Sequence, residues 1–419
     1  MSSPEEHRPQ GRFWPWIALS FSLGVFSFLG LAVLLYLGAV TLDKKGQLPP
    51  RQSLPESELK ARREATFARG IENKRQHTEA LVERMYQRQQ KDPDATMDFL
   101  VLSGGGENGA FGAGFMLGWS EIPDGPGSLP VFDGITGVSA GSFIAPFAYL
   151  GTPKSLERIN EFFRNPGEDW LELRGPLYFL PEQMSLAKVP GLERAIRGEM
   201  SQSFAQKIVD ATTPGRILLI QASNLDEAIP EVFDFSRIAK KALDEKDSAP
   251  MGEVLLASSA IPGMFPPREI DGTLYVDGGV VGNFYSGGRP SEPENTFGGI
   301  WKRKYPDQPI PKTRYWVILN GNLREAPQTS GTSWASIASR SLAVSVGSSE
   351  VVALRELYAL AELTERRGMG DVEVRWVAIE EPLEESVFPT LFDKKQMRRL
   401  SDLGRRAGAD RASWNREAP

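Results

Sequence analysis

The run Ile135-Thr136-Gly137-Val138-Ser139-Ala140-Gly141-Ser142-Phe143-Ile144-Ala145-Pro146-Phe147-Ala148-Tyr149-Leu150 changes character in its middle. Ile135 to Val138 read as a short buried strand and Ser142 to Leu150 as an apolar helix, so Ser139 falls on a strand-to-helix turn. A nucleophile elbow needs that setting: a serine in a Gly-x-Ser-x-Gly frame at the end of a strand. Gly137 and Gly141 suit it, because a sharp turn brings the backbones before and after the serine too close for Cβ atoms. The competing reading is an ordinary glycine-rich turn between a strand and a helix.

Comparable apolar runs recur on both sides, at Asp98–Leu102, Val131–Val138, Arg216–Ala222, Thr273–Val276, Tyr315–Leu319 and Val374–Ile379. Helical patterns fall between several of them. Phe111 to Trp119 is apolar, and Leu354, Leu357, Tyr358 and Ala361 repeat at i, i+3, i+4 and i+7 on one helix face. Strands alternating with helices predict an α/β domain, with a mainly parallel sheet flanked by helices. The stretches 164–200 and 285–313, rich in Gly, Pro and aromatics, read as long loops or lid-like insertions.

A serine hydroxyl is a weak nucleophile until something takes its proton. The chain has only two histidines, His7 and His77. His7 precedes a long apolar run, and His77 lies in a charged stretch where a solvated side chain is expected. The usual imidazole base is therefore expected to be missing, which leaves carboxylates and lysines as candidates; the alternative, a general carboxylesterase with a histidine-based triad, would need His77 in the site. No Ser-x-x-Lys occurs at Ser139. Asp277, in Asp277-Gly278-Gly279 at the end of the strand-like run Thr273–Val276, is a candidate. Asp-Gly is also a common turn dipeptide. In water the Asp pKa of about 3.9 makes a poor base, but burial in a cleft raises its proton affinity. A third segment, Gly104-Gly105-Gly106-Glu107-Asn108-Gly109, follows the first strand and precedes a helix. Such a loop turns backbone N–H groups toward one point, where a phosphate or an oxyanion fits. It also has the G-x-G-x-x-G form of a dinucleotide site, but about 20 residues on the chain has a loop, Glu121 to Gly127, rather than an acidic residue at a strand end. All three segments lie at strand ends, where the crevices of open parallel sheets form.

The net charge of −6 is mild and no basic block is interleaved with aromatics, so nothing points to nucleic acid. The absence of cysteine excludes disulfides, thiolate catalysis and a lipidation anchor, and with two scattered histidines no metal site is expected. From Phe13 to Leu42 no residue is charged. That exceeds the roughly 20 residues that span a bilayer as a helix, and the run is too long for a cleaved signal peptide. Arg8 and Arg12 precede it; Lys44, Lys45, Arg51 and Lys60 follow it. This bias favours a cytoplasmic C-terminal domain, although large domains translocate despite flanking charge, so the side stays open. The expected organisation is a tail over 1–12, a transmembrane helix over 13–42, a polar helical stalk or a helix lying on the domain over 43–95, and one α/β domain over 96–419.

Together, several segments resemble the patatin-like phospholipase family. They are Leu102-Ser103-Gly104-Gly105-Gly106 with Gly109-Ala110, then Gly137-Val138-Ser139-Ala140-Gly141-Ser142. After these come Ala257-Ser258-Ser259-Ala260-Ile261-Pro262-Gly263-Met264-Phe265-Pro266-Pro267 and Val276-Asp277-Gly278-Gly279-Val280 with Asn283. The resemblance implies a three-layer α/β/α fold and a lipid acyl hydrolase that uses a Ser–Asp dyad without metal or cofactor. It gives Ser139 the role of nucleophile, Asp277 that of proton acceptor, and Gly104, Gly105 and Gly106 the oxyanion hole. Gly109, Gly137, Gly141, Gly278 and Gly279 support these motifs. The implied partner is a lipid or phospholipid at a membrane surface. One departure stands out: many relatives place Arg or Lys just before the last glycine of the loop, where this chain has Asn108, which brings no positive charge. Phe111, Phe115, Phe143 and Phe147 are candidates for an acyl pocket, though apolar helix faces more often pack in a core.

Overall fold

A computed structural model describes residues 27–31, 33–34, 48–174, 184–287, 293–324, 327–381 and 391–419. The chain divides into two compact units, residues 1–51 with 175–183, and residues 52–174 with 184–419. In the first, residues 27–31 and 33–34 are helical; the rest of the expected transmembrane run over 13–42 lies outside the described residues. The elements below belong to the second unit.

Among the described residues its strands are β1 Met97–Leu102, β2 Gly134–Val138, β3 Glu172–Leu173, β4 Ala187–Lys188, β5 Ile217–Asn224, β6 Ile229–Asp234, β7 Arg268–Ile270, β8 Thr273–Val276, β9 Thr313–Ile318 and β10 Val372–Val377. The main sheet runs β10-β9-β1-β2-β5-β8-β7, with β6 also paired to β5. The five strands from β10 to β5 are parallel, while β6, β7 and β8 join antiparallel. The short pair β3–β4 stands apart.

Alternation along the strands sorts the helices into two layers. Leu100, Leu102, Ile135, Leu218, Ile220 and Ile318 face the main core. That core is shared with helices α2 Gly109–Ser120, α3 Ala140–Leu150, α4 Pro153–Arg164, α5 Pro190–Glu199, α6 Gln202–Ala211, α7 Phe235–Glu245, α8 Ala249–Ser258 and α11 Lys394–Ala409. On the other face, Val101, Val317 and Val374 pack on Leu354, Leu357 and Ala361 of α10 Trp334–Arg366. Met97 and Ile217 pack there on Leu81, Val82 and Met85 of α1 Glu56–Gln89 and on Ile300 and Trp301 of α9 Phe297–Lys304. The result is a mixed, mostly parallel sheet between two helical layers.

Two stretches expected to be loops contain elements. Residues 164–200 hold β3, β4 and α5, and residues 285–313 hold α9. Both helices are short, and tertiary burial stabilises them: Leu192 and Ile196 enter the main core, and Trp301 is fully buried. Helix α1 keeps a charged outer face with i,i+4 pairs such as Lys60–Glu56 and Arg62–Glu58. Its last turns are fastened to the domain, where Arg84 Nε and Arg88 Nη1 both donate to the fully buried carboxylate of Asp133 at 2.8 Å. His77 is not solvated as expected. Its side chain is 18% exposed and its Nε2 lies 3.0 Å from Asp234 Oδ2. Among the described residues, α10 alone is long and apolar enough to cross a membrane, over Ser336–Arg366, yet its second half is packed on β9 and β10.

Helix α2 is improbable by propensity, with Gly112, Gly114 and Gly118 inside it. It forms because α11 packs against it backbone to backbone. A Cβ on Gly114 or Gly118 would overlap the carbonyls of Ser401 and Arg405, and one on Gly404 or Gly408 would overlap those of Phe111 and Phe115. Gly118→Ala is therefore expected to destabilise the protein by about 1–3 kcal/mol despite its better helix propensity. Gly70→Ala, in the exposed middle of α1 with open space around it, is expected to stabilise it by up to about 1 kcal/mol. Urea unfolding of the two variants checks both signs.

Candidate active site

The register of the sheet brings the candidate loops together. Leu102 of β1 lies beside Gly137 of β2, Val138 beside Gln221 of β5, and Ser223 of β5 beside Val276 of β8. The ends of four strands are thus adjacent, and the glycine loop, Ser139 and Asp277 each follow one of them.

Ser139 lies between β2 and α3 with φ 50° and ψ −122°, a conformation that L-residues avoid at a cost of about 1–3 kcal/mol. The elbow glycines are needed for close approach. A Cβ on Gly137 would lie 2.5 Å from Gly141 O, and one on Gly141 would lie 2.5 Å from Leu102 O. Gly141 thereby seats the start of α3 against the end of β1. Ser139 N–H donates to Ser258 Oγ at 2.9 Å, and Ser139 Oγ donates to Asp277 Oδ2 at 2.6 Å. Both side chains are buried, Ser139 at 5% and Asp277 at 7% exposure.

Asp277 is held on every side. Its N–H donates to Ala260 O at 2.9 Å, and its carbonyl accepts from Ser223 Oγ at 2.8 Å. Its Oδ1 accepts from Gly279 N at 2.7 Å. Burial pushes the carboxyl up to about 6, partly offset by the hydrogen bonds from Ser139 and Gly279. Among the described residues, no histidine or lysine is hydrogen-bonded to Ser139 Oγ. His77 is engaged with Asp234 instead.

The glycine loop is framed by two asparagines. Asn320, beyond the end of β9, donates from Nδ2 to Ser103 O at 2.7 Å, and its N–H donates to Ser103 Oγ at 2.9 Å. Asn283 O accepts the Gly104 N–H at 3.0 Å, and Asn283 Nδ2 donates to the buried Glu350 Oε1 of α10 at 2.6 Å. This corrects the sequence reading for Gly104. Its N–H is engaged in bracing the loop, whereas those of Gly105 and Gly106 have no acceptor among the described residues. Gly106 has φ 56°, and after the short turn Gly106–Asn108 the chain enters α2. A Cβ on Gly109, the first residue of α2, would lie 2.7 Å from Ala140 Cβ, the first residue of α3. Two helix N-termini, each partially positive, therefore converge beside Ser139. They supply positive potential where the loop has Asn108 rather than a cation.

Phe111, Phe115, Phe143 and Phe147 are core residues, all buried in the main cluster. A cavity of about 520 Å³ between α4 and α5, lined by Arg158, Phe162, Trp170 and Arg194 among others, includes neither Ser139 nor Asp277. Among the described residues no cluster of His, Asp and Glu is arranged to hold a metal. Ser258, Gln221 and Ser223 are contributors that no sequence motif assigned. The faint signal for two of them is that Gln221 and Ser223 interrupt an otherwise apolar strand at its carboxyl end.

Residues 100–285 match the family model described as patatin-like phospholipase. No curated protein matches the chain. A crystal structure of VipD from Legionella pneumophila is 11% identical, with a TM-score of 0.34, over 76% of this chain and 67% of that one. So loose a likeness carries no weight for the site.

The Asp277 carboxyl holds its proton more tightly in the folded chain, near 6, than in an unfolded one, near 4. Stability is therefore lost as pH rises between those values, and above them the ionised group costs the fold about 3 kcal/mol. Asp277→Asn is expected to unfold at higher urea than wild type at pH 8 and at nearly the same urea at pH 4. Equal midpoints at pH 8 would contradict that burial.

Proposed function

We propose that the domain is a serine acyl hydrolase acting on lipid esters, a phospholipase A or lysophospholipase in type, with Ser139 as nucleophile and Asp277 as its base. The observation that carries this reading is the 2.6 Å hydrogen bond from Ser139 Oγ to a buried carboxylate. Ser139 Oγ attacks the ester carbonyl carbon while its proton passes to Asp277 Oδ2. The carbonyl oxygen becomes an oxyanion, held by the N–H groups of Gly105 and Gly106 and by the convergent N-termini of α2 and α3. Collapse expels the alcohol, which takes the proton from Asp277 and leaves acyl-Ser139. Asp277 then accepts a proton from water as the water attacks the acyl carbon; collapse breaks the C–Oγ bond, Asp277 returns that proton to Ser139 Oγ, and the fatty acid leaves. The match of residues 100–285 to the patatin-like phospholipase model supports a lipid substrate, and the uncharged run Phe13–Leu42 supports an anchor that keeps the domain at a bilayer.

A carboxylate with a proton affinity near 6 suits this role better than an exposed aspartate, because a base works best when its pKa approaches the working pH. Hydrolysis is expected to rise with pH through about 6 and to fall about tenfold per unit below it. Ser139→Ala is expected to abolish covalent labelling by a fluorophosphonate probe and fatty-acid release from mixed membrane lipids, read by mass spectrometry. Asp277→Asn is expected to lower both by about a thousandfold or more. A folded wild-type chain that neither labels nor releases fatty acid would instead be a non-catalytic lipid-binding protein.

A further inference from the structure

The segment Ser258-Ser259-Ala260 has one contact with each half of the dyad, and nothing in the mechanism above uses it. Ser258 closes α8 and is completely buried. Its Oγ accepts the Ser139 N–H at 2.9 Å and donates to Gln221 O at 2.7 Å. Two residues on, Ala260 O accepts the Asp277 N–H at 2.9 Å. The same strand residue reaches the aspartate loop with its side chain, Gln221 Nε2 donating to Gly282 O at 2.8 Å and to Gly278 O at 3.3 Å. We infer that Ser258 is a positioning residue, setting the separation of Ser139 from Asp277 by clamping the nucleophile's backbone to the segment that also carries the aspartate.

This role presupposes the dyad and follows from strain. Ser139 occupies a φ of 50°, which persists only where surrounding contacts over-determine it. Its N–H is buried, and without Ser258 Oγ it would lose its partner, an unfavourable state that backbone relaxation relieves. Relaxation moves Oγ relative to a carboxylate that is independently held by Gly279, Ser223 and Ala260. Displacements near 1 Å at reacting groups cost about a hundredfold in rate. The adjacent Ser259 supplies an internal control. It is the same residue type, similarly buried, but its Oγ donates back to Leu255 O of α8 at 2.9 Å.

The test uses the whole 419-residue chain and measures fluorophosphonate labelling rates against pH, together with kcat and KM on a soluble short-chain ester. Ser258→Ala is expected to lower the labelling rate constant and kcat by about 10- to 100-fold with KM within about twofold. The midpoint of its acid limb is expected to move to higher pH, because the Ser139 hydrogen bond lowers the Asp277 proton affinity. Ser259→Ala is expected to behave as wild type. Ser258→Cys, close in size but a weak acceptor, gives the same slow labelling should the alanine variant fail to fold. Ser258→Thr keeps the hydroxyl and recovers most of the rate. Wild-type labelling rate and acid limb in a folded Ser258→Ala or Ser258→Cys variant, with only a lower melting temperature, would overturn the proposal. Labelling of wild type that survives Ser139→Ala would instead overturn the dyad reading, and the proposal would fall with it.

Discussion

The hydrogen bond from Ser139 Oγ to Asp277 Oδ2 joins two residues 138 positions apart in the chain, and the architecture around it serves to close that gap. Ser139 follows β2, and Asp277 follows β8. The connection runs through β5, which is parallel to β2 along most of its length and antiparallel to β8 at its end. β5 also contributes directly, with Gln221 and Ser223 reaching the aspartate loop from one strand face. The mixed sheet therefore serves the proposed site. An all-parallel sheet would need a long crossover before the aspartate, whereas the antiparallel return of β7 and β8 brings Asp277 back to the strand ends within a few residues.

Two unfavourable features lie at this centre, a serine at positive φ and a carboxylate raised by burial. Each costs on the order of 1–3 kcal/mol. The surroundings offset them. Asp277 has hydrogen bonds at N, O, Oδ1 and Oδ2, and Ser139 at N and Oγ. In the proposed mechanism, the same burial that destabilises the carboxylate fits it to accept a proton near neutral pH, so local instability and the proposed chemistry have one cause. The glycine seam between α2 and α11 belongs to the same logic. It lets α2 start directly under the glycine loop, so that its positive end faces the space in front of Ser139.

Much of this was legible in the sequence because burial writes itself as apolar runs. β1, β2, β5, β8, β9 and β10 coincide with the six runs to within a few residues. β6 and β7 were not visible. β6 is half-exposed and carries Pro230 and Glu231, and β7 has three residues, so neither shows a buried-strand pattern. The elbow was readable from local chemistry, and the scarcity of histidine made Asp277 worth considering. The division of labour within the glycine loop was not readable, since Gly104, Gly105 and Gly106 are identical letters and only the fold assigns one N–H to Asn283. For the same reason Ser258 and Ser259 could not be told apart. Which hydroxyl meets the nucleophile depends on where α8 ends against β5.

The decisive measurement is a crystal structure of the fluorophosphonate adduct, because the phosphonyl group imitates the tetrahedral species. Phosphorus is expected on Ser139 Oγ and a phosphonyl oxygen about 3 Å from the N–H groups of Gly105 and Gly106, with the Asp277 carboxylate still alongside. Phosphorus on another residue, or an oxygen pointing away from the glycine loop, would contradict it.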